Sequence, residues 1–147
     1  AVDIDIGTEA LSRVTNTSFG YTYILKDNPA NASGKITQIE VYIRPSPTAN
    51  FKVATFYNVT GTNFSTRDSH FIGVLTSGYH CFTGLDITVK EGDYLGFYMS
   101  GGGLSMDNEG GEAYWYLAGD NIPCENVTFI VTGNTTRILS LYGTGKG

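Results

Sequence analysis

Apolar side chains occupy every second position in two runs of residues 85–99, and this spacing constrains the fold more than any other feature. A period of two places alternate side chains on opposite faces of an extended strand. The residues Glu91-Gly92-Asp93 separate the two runs and have the composition of a short turn. The sequence therefore predicts an antiparallel hairpin, which we take as the centre of a β-sandwich. Its inward-facing residues are predicted to be Leu85, Ile87, Val89, Leu95, Phe97 and Met99.

Similar alternating runs recur along the chain of 147 residues. Glycine is frequent, at 19 residues, and the sequence has no long stretch of the helix-favouring residues Leu, Ala, Glu and Lys. The pattern predicts an all-β fold: a single antiparallel β-sandwich of about ten strands, of the jelly-roll or immunoglobulin-like type. The length fits one domain covering residues 1–147, in which the glycine-rich residues 143–147 are predicted to form a flexible tail.

The N-terminal segment 1–7 has the pattern of a strand that can be exchanged between copies of the chain. Val2, Ile4 and Ile6 alternate with polar residues, and Gly7 provides a hinge. Such a strand either pairs within its own sheet or completes the sheet of a neighbouring subunit. The sequence leaves both alternatives open.

The charge pattern excludes two classes of function. The nine basic residues are scattered along a chain of net charge −5, so no basic stripe is available to bind nucleic acid. No apolar run approaches the ~18 residues that a membrane-spanning helix needs. Because the chain begins with Ala1, we expect that a preceding segment has been removed or that the chain is part of a longer product.

Two features bear on the compartment in which the protein resides. The two cysteines, Cys81 and Cys124, form either one disulfide or two separate buried thiols. Asn-x-Ser/Thr triplets, which accept N-linked glycans, are more frequent than chance would place them. They favour an extracellular glycoprotein, although turn-rich β proteins also concentrate Asn, Ser and Thr. The triplets begin at Asn16, Asn31, Asn58, Asn63, Asn126 and Asn134.

No residue pattern in the sequence is typical of a catalytic site. His70 and His80 lie beside no nucleophile motif, and the acidic residues concentrate in turns. We therefore expect no enzyme activity, no cofactor and no bound metal. One loop has oxygen-bearing side chains that suit Ca²⁺, but its spacing does not match an EF-hand, and an ordinary solvated loop has the same composition. These loop residues are Asp107, Asn108, Glu109 and Glu112.

An aromatic strand at residues 113–117 offers a platform for a sugar ring. Sugar C–H groups pack on aromatic faces, and in a strand Tyr114 and Tyr116 point to the face opposite Trp115. We expect Trp115 to fill the core and the two tyrosines to lie on the outer surface, beside the loop at 101–112. In that position, they are candidates for contact with surface glycans or with a neighbouring subunit.

Five motifs combine turn and strand residues: Asp27-Asn28-Pro29-Ala30-Asn31-Ala32-Ser33-Gly34, Val53-Ala54-Thr55-Phe56-Tyr57, Arg67-Asp68-Ser69, Gly92-Asp93-Tyr94-Leu95-Gly96-Phe97-Tyr98 and Ser140-Leu141-Tyr142-Gly143-Thr144-Gly145. These motifs resemble those of short, uncharacterised β-sandwich proteins found in phage genomes and environmental metagenomes. The resemblance spans most of the chain and carries no catalytic residues. It implies a structural role on a virion or in an extracellular fibre.

These observations predict a non-enzymatic structural subunit of an extracellular or virion-associated fibre, filament or appendage. Such a subunit would self-assemble with copies of itself through strand edges, and the sharper form of this hypothesis is donation of the N-terminal strand. The alternative function is a carbohydrate- or receptor-binding module, such as the adhesin of a fibre tip.

Overall fold

The computed structural model describes residues 2–44, 47–131 and 136–147. These residues form β-strands and no helix, so the all-β prediction is confirmed. Accordingly, the described part of the chain contains no helix able to cross a membrane. The strands are β1 (Asp3–Gly7), β2 (Thr15–Asn16), β3 (Tyr21–Leu25), β4 (Gly34–Ile43), β5 (Thr48–Thr60), β6 (Asn63–Leu75), β7 (Gly78–Phe82), β8 (Ile87–Val89), β9 (Tyr94–Met99), β10 (Ser105–Asp107), β11 (Tyr114–Ala118), β12 (Val127–Thr128), β13 (Ile130–Val131), β14 (Ile138–Leu139) and β15 (Leu141–Lys146).

A five-stranded antiparallel sheet brings the two ends of the chain together. Its strand order is β1-β15-β4-β7, and β8 pairs with the first residues of β4. The prediction of a flexible tail at 143–147 is wrong, because β15 lies in this sheet between β1 and β4. A Cβ atom on Gly145 would collide with the backbone of Lys35, and one on Gly143 would crowd Ile6. The glycines therefore serve close strand packing rather than flexibility.

A seven-stranded antiparallel sheet curls until its two edges almost meet. Its order is β12-β6-β5-β9-β3-β11-β13. The edge strands β12 and β13 are separated along the chain by the single residue Phe129, so one short segment contacts both ends of the sheet. The backbone N–H of Phe129 also donates to the carbonyl of Thr62 at 2.8 Å. The result is a nearly closed, barrel-like sheet.

Each face of this curled sheet contributes side chains to a hydrophobic core, with a different core on each side. On β3, Tyr23 and Leu25 belong to the larger core, to which the five-stranded sheet contributes Ile39 and Val41. Ile24 points the other way and joins a second core with Phe56 and other residues inside the curl. The expected single sandwich of about ten strands is not confirmed. A third, small sheet has the strand order β14-β10-β2.

Residues 85–99 form an arch between the two larger sheets and not the predicted hairpin. The predicted inward faces are buried in both runs, apart from the partly buried Leu85. However, β8 pairs with β4, while β9 pairs with β3 and β5. The N–H of Asp93 donates to the carbonyl of Lys90 at 2.9 Å and closes the turn between them. The carboxylate of Asp93 binds Arg67 of β6, which holds this turn against the seven-stranded sheet.

Candidate functional site

The N-terminal strand β1 lies at the edge of the five-stranded sheet and pairs with β15 of its own chain. Ile4 and Ile6 are buried in the larger core, whereas Val2 is exposed outside the strand. Of the two alternatives, pairing within the chain describes this structure. An exchanged β1 would make the same contacts in a second copy, since domain swapping replaces one element by an identical one. Donation of β1 therefore stays a prediction.

Two asparagine side chains close the outer edge of β1. The Asn31 Oδ1 atom accepts a hydrogen bond from the backbone N–H of Asp5 at 2.8 Å, and its Nδ2 donates to the carbonyl of Asp3 at 3.0 Å. The Nδ2 of Asn28 donates to the carbonyl of Gly7 at 3.0 Å. These amides take the places that a further strand would take, so the edge of β1 is protected against pairing.

The predicted glycosylation sites differ in their accessibility. Asn31, Asn58 and Asn126 are exposed, while Asn16 and Asn63 are half-buried, and Asn134 lies outside the described residues. The side chain of Asn58 donates to the carbonyl of Gly61 at 2.9 Å in the β5–β6 turn. Glycans are bulky and require exposed positions, so the three exposed asparagines are the better acceptors among these predictions.

The aromatic strand alternates as predicted, with Trp115 against one core and Tyr114 and Tyr116 on the opposite face, but the predicted outer position of the two tyrosines is wrong. Tyr114 is only 7 % exposed, its ring meets the Tyr23 ring edge-on at 4.9 Å, and Tyr116 packs partly buried against the same core. Trp115 points to the second core, with its ring 4.7 Å from that of Phe64. Because β11 belongs to a sheet with a core on each face, both tyrosines pack against a core, and only Tyr116 keeps a partly exposed surface. The uninterrupted run Tyr114-Trp115-Tyr116-Leu117 was the available signal for burial on both faces.

The acidic loop serves structural contacts. The Asp107 carboxylate lies 2.9 Å from the Arg13 guanidinium and accepts a hydrogen bond from the backbone N–H of Val14 at 3.1 Å. The Val14 N–H, with Arg13 as a further cause, lowers the pKa of Asp107 below its usual value. Asn108, Glu109 and Glu112 are exposed. Within the described residues, no group of three or more His, Cys, Asp or Glu side chains is placed to hold a metal ion.

Of the two alternatives for the cysteines, the structure has free thiols at Cys81 and Cys124 and no disulfide between them. They lie on different parts of the fold, since Cys81 is on β7 and Cys124 lies beside β6, with its thiol 3.9 Å from the Phe64 carbonyl. Cys81 is exposed, which also rules out the buried-thiol interpretation for that residue. Cys124 is half-buried, and burial raises the pKa of its thiol.

Two neighbouring strand edges are uncovered, and we call residues 69–75 of β6 together with β7 the β6–β7 edge. In the described part of the chain, residues 69–75 pair only with β5, and β7 pairs only with β4. The edge contains no Asp, Glu, Lys or Arg. Phe71, Val74 and Tyr79 are exposed on it. Unpaired N–H and C=O groups beside exposed apolar side chains form a template for strand pairing.

In contrast to the β6–β7 edge, the neighbouring strand β8 has a covered backbone edge. Its Thr88 N–H donates to the Asp68 carboxylate at 2.8 Å, and its Thr88 carbonyl accepts from the Thr55 hydroxyl at 2.8 Å. These contacts cover the edge of β8 with groups of the same chain. Among the edges of β1, β8, β6 and β7, the uncovered backbone is therefore that of the β6–β7 edge.

A second surface of note is the outer face of the five-stranded sheet, which we call the tyrosine face. Directly paired residues of a sheet project to the same face, and here Tyr142 lies opposite Glu40 and Tyr42 opposite Tyr79. Two tyrosine side chains on this face are held by hydrogen bonds to carboxylates. The Tyr142 hydroxyl donates to Asp5 at 3.0 Å, and the Tyr79 hydroxyl donates to Glu40 at 2.5 Å. The face thus presents aromatic rings beside oriented hydrogen-bond acceptors.

Comparison with known proteins identifies no similar protein from which a function could be inferred. No protein-family model matches the chain, and no curated protein or solved structure matches it significantly.

Proposed function

We propose that the chain is a non-enzymatic structural subunit that associates with copies of itself through the β6–β7 edge. The supporting observation is the contrast between edges. The backbone of β1 is covered by Asn28 and Asn31, and that of β8 by Asp68 and Thr55, whereas the β6–β7 edge is uncovered and uncharged. Natural sheets usually protect exposed edges with charge or cover, so an edge without either is the natural place for a second chain.

The composition of the edge supplies a driving force. Burying an exposed side chain of the size of Phe71, Val74 or Tyr79 contributes about 1.5–3 kcal/mol. Association costs roughly 4–15 kcal/mol in lost freedom, so the apolar contacts must act together with backbone hydrogen bonds. Because β6 and β7 belong to different sheets, both layers of the fold have a strand at this surface.

The proposed setting is the extracellular space or a virion surface, in a fibre, filament or appendage. The exposed Asn-x-Ser/Thr sites at Asn31, Asn58 and Asn126 support it. The resemblance of the turn and strand motifs to short phage and metagenomic β-sandwich proteins supports it too. Carbohydrate binding at Tyr114 and Tyr116 is not proposed, because those rings face the larger core.

The test is the mass of the protein in solution as a function of concentration, measured by sedimentation velocity. Val74→Lys introduces a charge on the edge, and Val14→Lys is its matched control, because the two valines are 72 % and 71 % exposed. The native chain and Val14→Lys should form oligomers, while Val74→Lys should sediment as a monomer. Equal oligomerisation of all three proteins, or a native chain that stays monomeric, would contradict the proposal.

A cross-linking experiment distinguishes pairing at this edge from donation of β1. If β7 pairs with β7 of a second copy around Cys81, mild oxidation should link two chains through that exposed thiol, and Cys81→Ser should abolish the link. If association instead requires β1, removing residues 1–6 should abolish oligomers that Val74→Lys leaves intact. That second result would replace edge pairing by strand donation.

A further inference from the structure

Two adjoining depressions flank Tyr142 on the tyrosine face. One has a volume of about 490 Å³ and is lined by Asp5, Gln38 and Thr144 among others. The other has a volume of about 540 Å³ and includes Thr8 and Glu9. Asp5 and Tyr142 line both depressions, so the tyrosine stands between them. Together they form one groove of mixed polar and apolar lining, with an aromatic residue at its middle.

The groups in the groove are held in place by the sheet and retain free hydrogen-bonding capacity. Thr144 lies opposite both Asp5 and Gln38 in the strand register, which brings all three side chains to one row. Burial and the neighbouring Asp5 raise the pKa of Tyr142 to about 12, so its hydroxyl stays protonated at neutral pH and donates to Asp5. The Asp5 carboxylate has about four acceptor positions, so it can still accept from a ligand.

The charge around the groove selects against anions. Lys146 is paired with Asp3, and Arg13 with Asp107. Among the described residues, no cation is paired with Asp5, Glu9 or Glu40. A negatively charged ligand would meet this excess of carboxylates, whereas a neutral one with many hydroxyl groups would find acceptors and donors in a row.

We propose that the tyrosine face binds a neutral saccharide, with a sugar ring against Tyr142 and its hydroxyl groups bonded to Asp5, Gln38 and Thr144. Sugars combine apolar C–H faces with hydroxyl groups, and this groove offers an aromatic ring beside a carboxylate, an amide and a hydroxyl. This site is independent of the β6–β7 edge, and it differs from the predicted sugar contact at Tyr114 and Tyr116.

The test begins with the full chain on an array of immobilised neutral gluco-, galacto- and mannooligosaccharides, with sialylated oligosaccharides as the charged comparison. Binding should be confined to neutral saccharides, and titration calorimetry with the best of them gives a Kd. Tyr142→Ala should weaken this binding about tenfold through loss of the aromatic contact, and Tyr142→Phe, which keeps the ring, should weaken it less.

Two further variants keep the proposal falsifiable where Tyr142→Ala fails to fold. Gln38→Ala removes a partly exposed amide from the groove and should also weaken binding, whereas Phe19→Ala, at an exposed residue outside both the groove and the β6–β7 edge, should leave the Kd unchanged. Absence of any neutral hit on the array would overturn the proposal. So would sialylated ligands binding as well as neutral ones, or a Kd that neither Gln38→Ala nor Tyr142→Phe changes.

Discussion

Replacing Asp93 with alanine should destabilise the fold by about 3 kcal/mol, because it breaks a buried ion pair. The Asp93 side chain is 3 % exposed and contacts the Arg67 guanidinium at 2.5 Å through Nε and 3.0 Å through Nη2. It also accepts the backbone N–H of Lys90 at 2.9 Å. The hydrogen bond to Asp93 raises the pKa of Arg67 further, so that guanidinium stays charged. Losing the carboxylate therefore leaves a charge and a backbone donor without their partner.

The exposure of Asp93 and Arg67 predicts whether Asp93→Ala or Arg67→Ala lowers the free energy of unfolding more. Breaking a buried pair costs about 3–5 kcal/mol. The Arg67 side chain is 20 % exposed and stacks on the Tyr57 ring, so water can reach the guanidinium that Asp93→Ala leaves behind. The almost fully buried carboxylate that Arg67→Ala leaves behind has no such access. We therefore expect Asp93→Ala near the lower limit of this range and Arg67→Ala nearer the upper one.

Urea unfolding followed by the fluorescence of Trp115 measures these differences, because the chain has a single tryptophan. The double variant should lose less than the sum of the single variants, by about 1–3 kcal/mol, since the two residues form one unit. Asp93→Asn is the control, because it removes the charge and keeps an oxygen for the Lys90 N–H. Additive losses, or a loss below about 1 kcal/mol for Asp93→Ala, would refute the assignment of a stabilising buried pair.

Three other outcomes follow from the geometry. Gly145→Ala should cost at least about 1–3 kcal/mol in urea unfolding because its Cβ meets the backbone of Lys35, whereas Gly101→Ala, with nothing nearer than 3.9 Å, should cost little. Iodoacetamide at pH 8 should modify the exposed Cys81 faster than the half-buried Cys124, whose raised pKa leaves less thiolate; equal rates would contradict this order. Asn31→Ala uncovers β1 and should increase light scattering on concentration, while unchanged scattering would show that this edge needs no cover.

The sequence predicts where strands lie and which faces they bury, because alternation is a local property. The buried residues Ile39, Val41 and Ile43 of β4 illustrate this, as do the apolar faces of 85–99. It does not predict which strands pair. The turn Glu91-Gly92-Asp93 has hairpin composition, yet the partner of Asp93 is Arg67, which is 26 residues away along the chain. The arch differs from a hairpin in its strand pairing, with β8 on β4 and β9 on β3 and β5, and no local pattern contains pairing between such distant residues.

Two further differences from the sequence-based predictions have one cause. The glycines of 143–147 suggested flexibility, and the tyrosines of 113–117 suggested an exposed outer face. Both patterns also fit a strand that lies inside a sheet, either between two neighbouring strands or between two hydrophobic cores. There, glycine admits a close neighbour and aromatic residues fill two cores at once.

The two proposed surfaces become linked if the chain pairs through β7. Antiparallel pairing of a strand with its own copy requires a two-fold axis perpendicular to the sheet, so the two tyrosine faces lie on the same side of the dimer. Such a dimer can bind two saccharides on one surface at once. We expect the native dimer to bind a densely coated saccharide surface about 10²–10⁴-fold more tightly than the Val74→Lys monomer. Both proteins should bind the free saccharide equally. Equal retention on the coated surface would mean that the two faces do not lie side by side, which would exclude pairing of β7 in this arrangement.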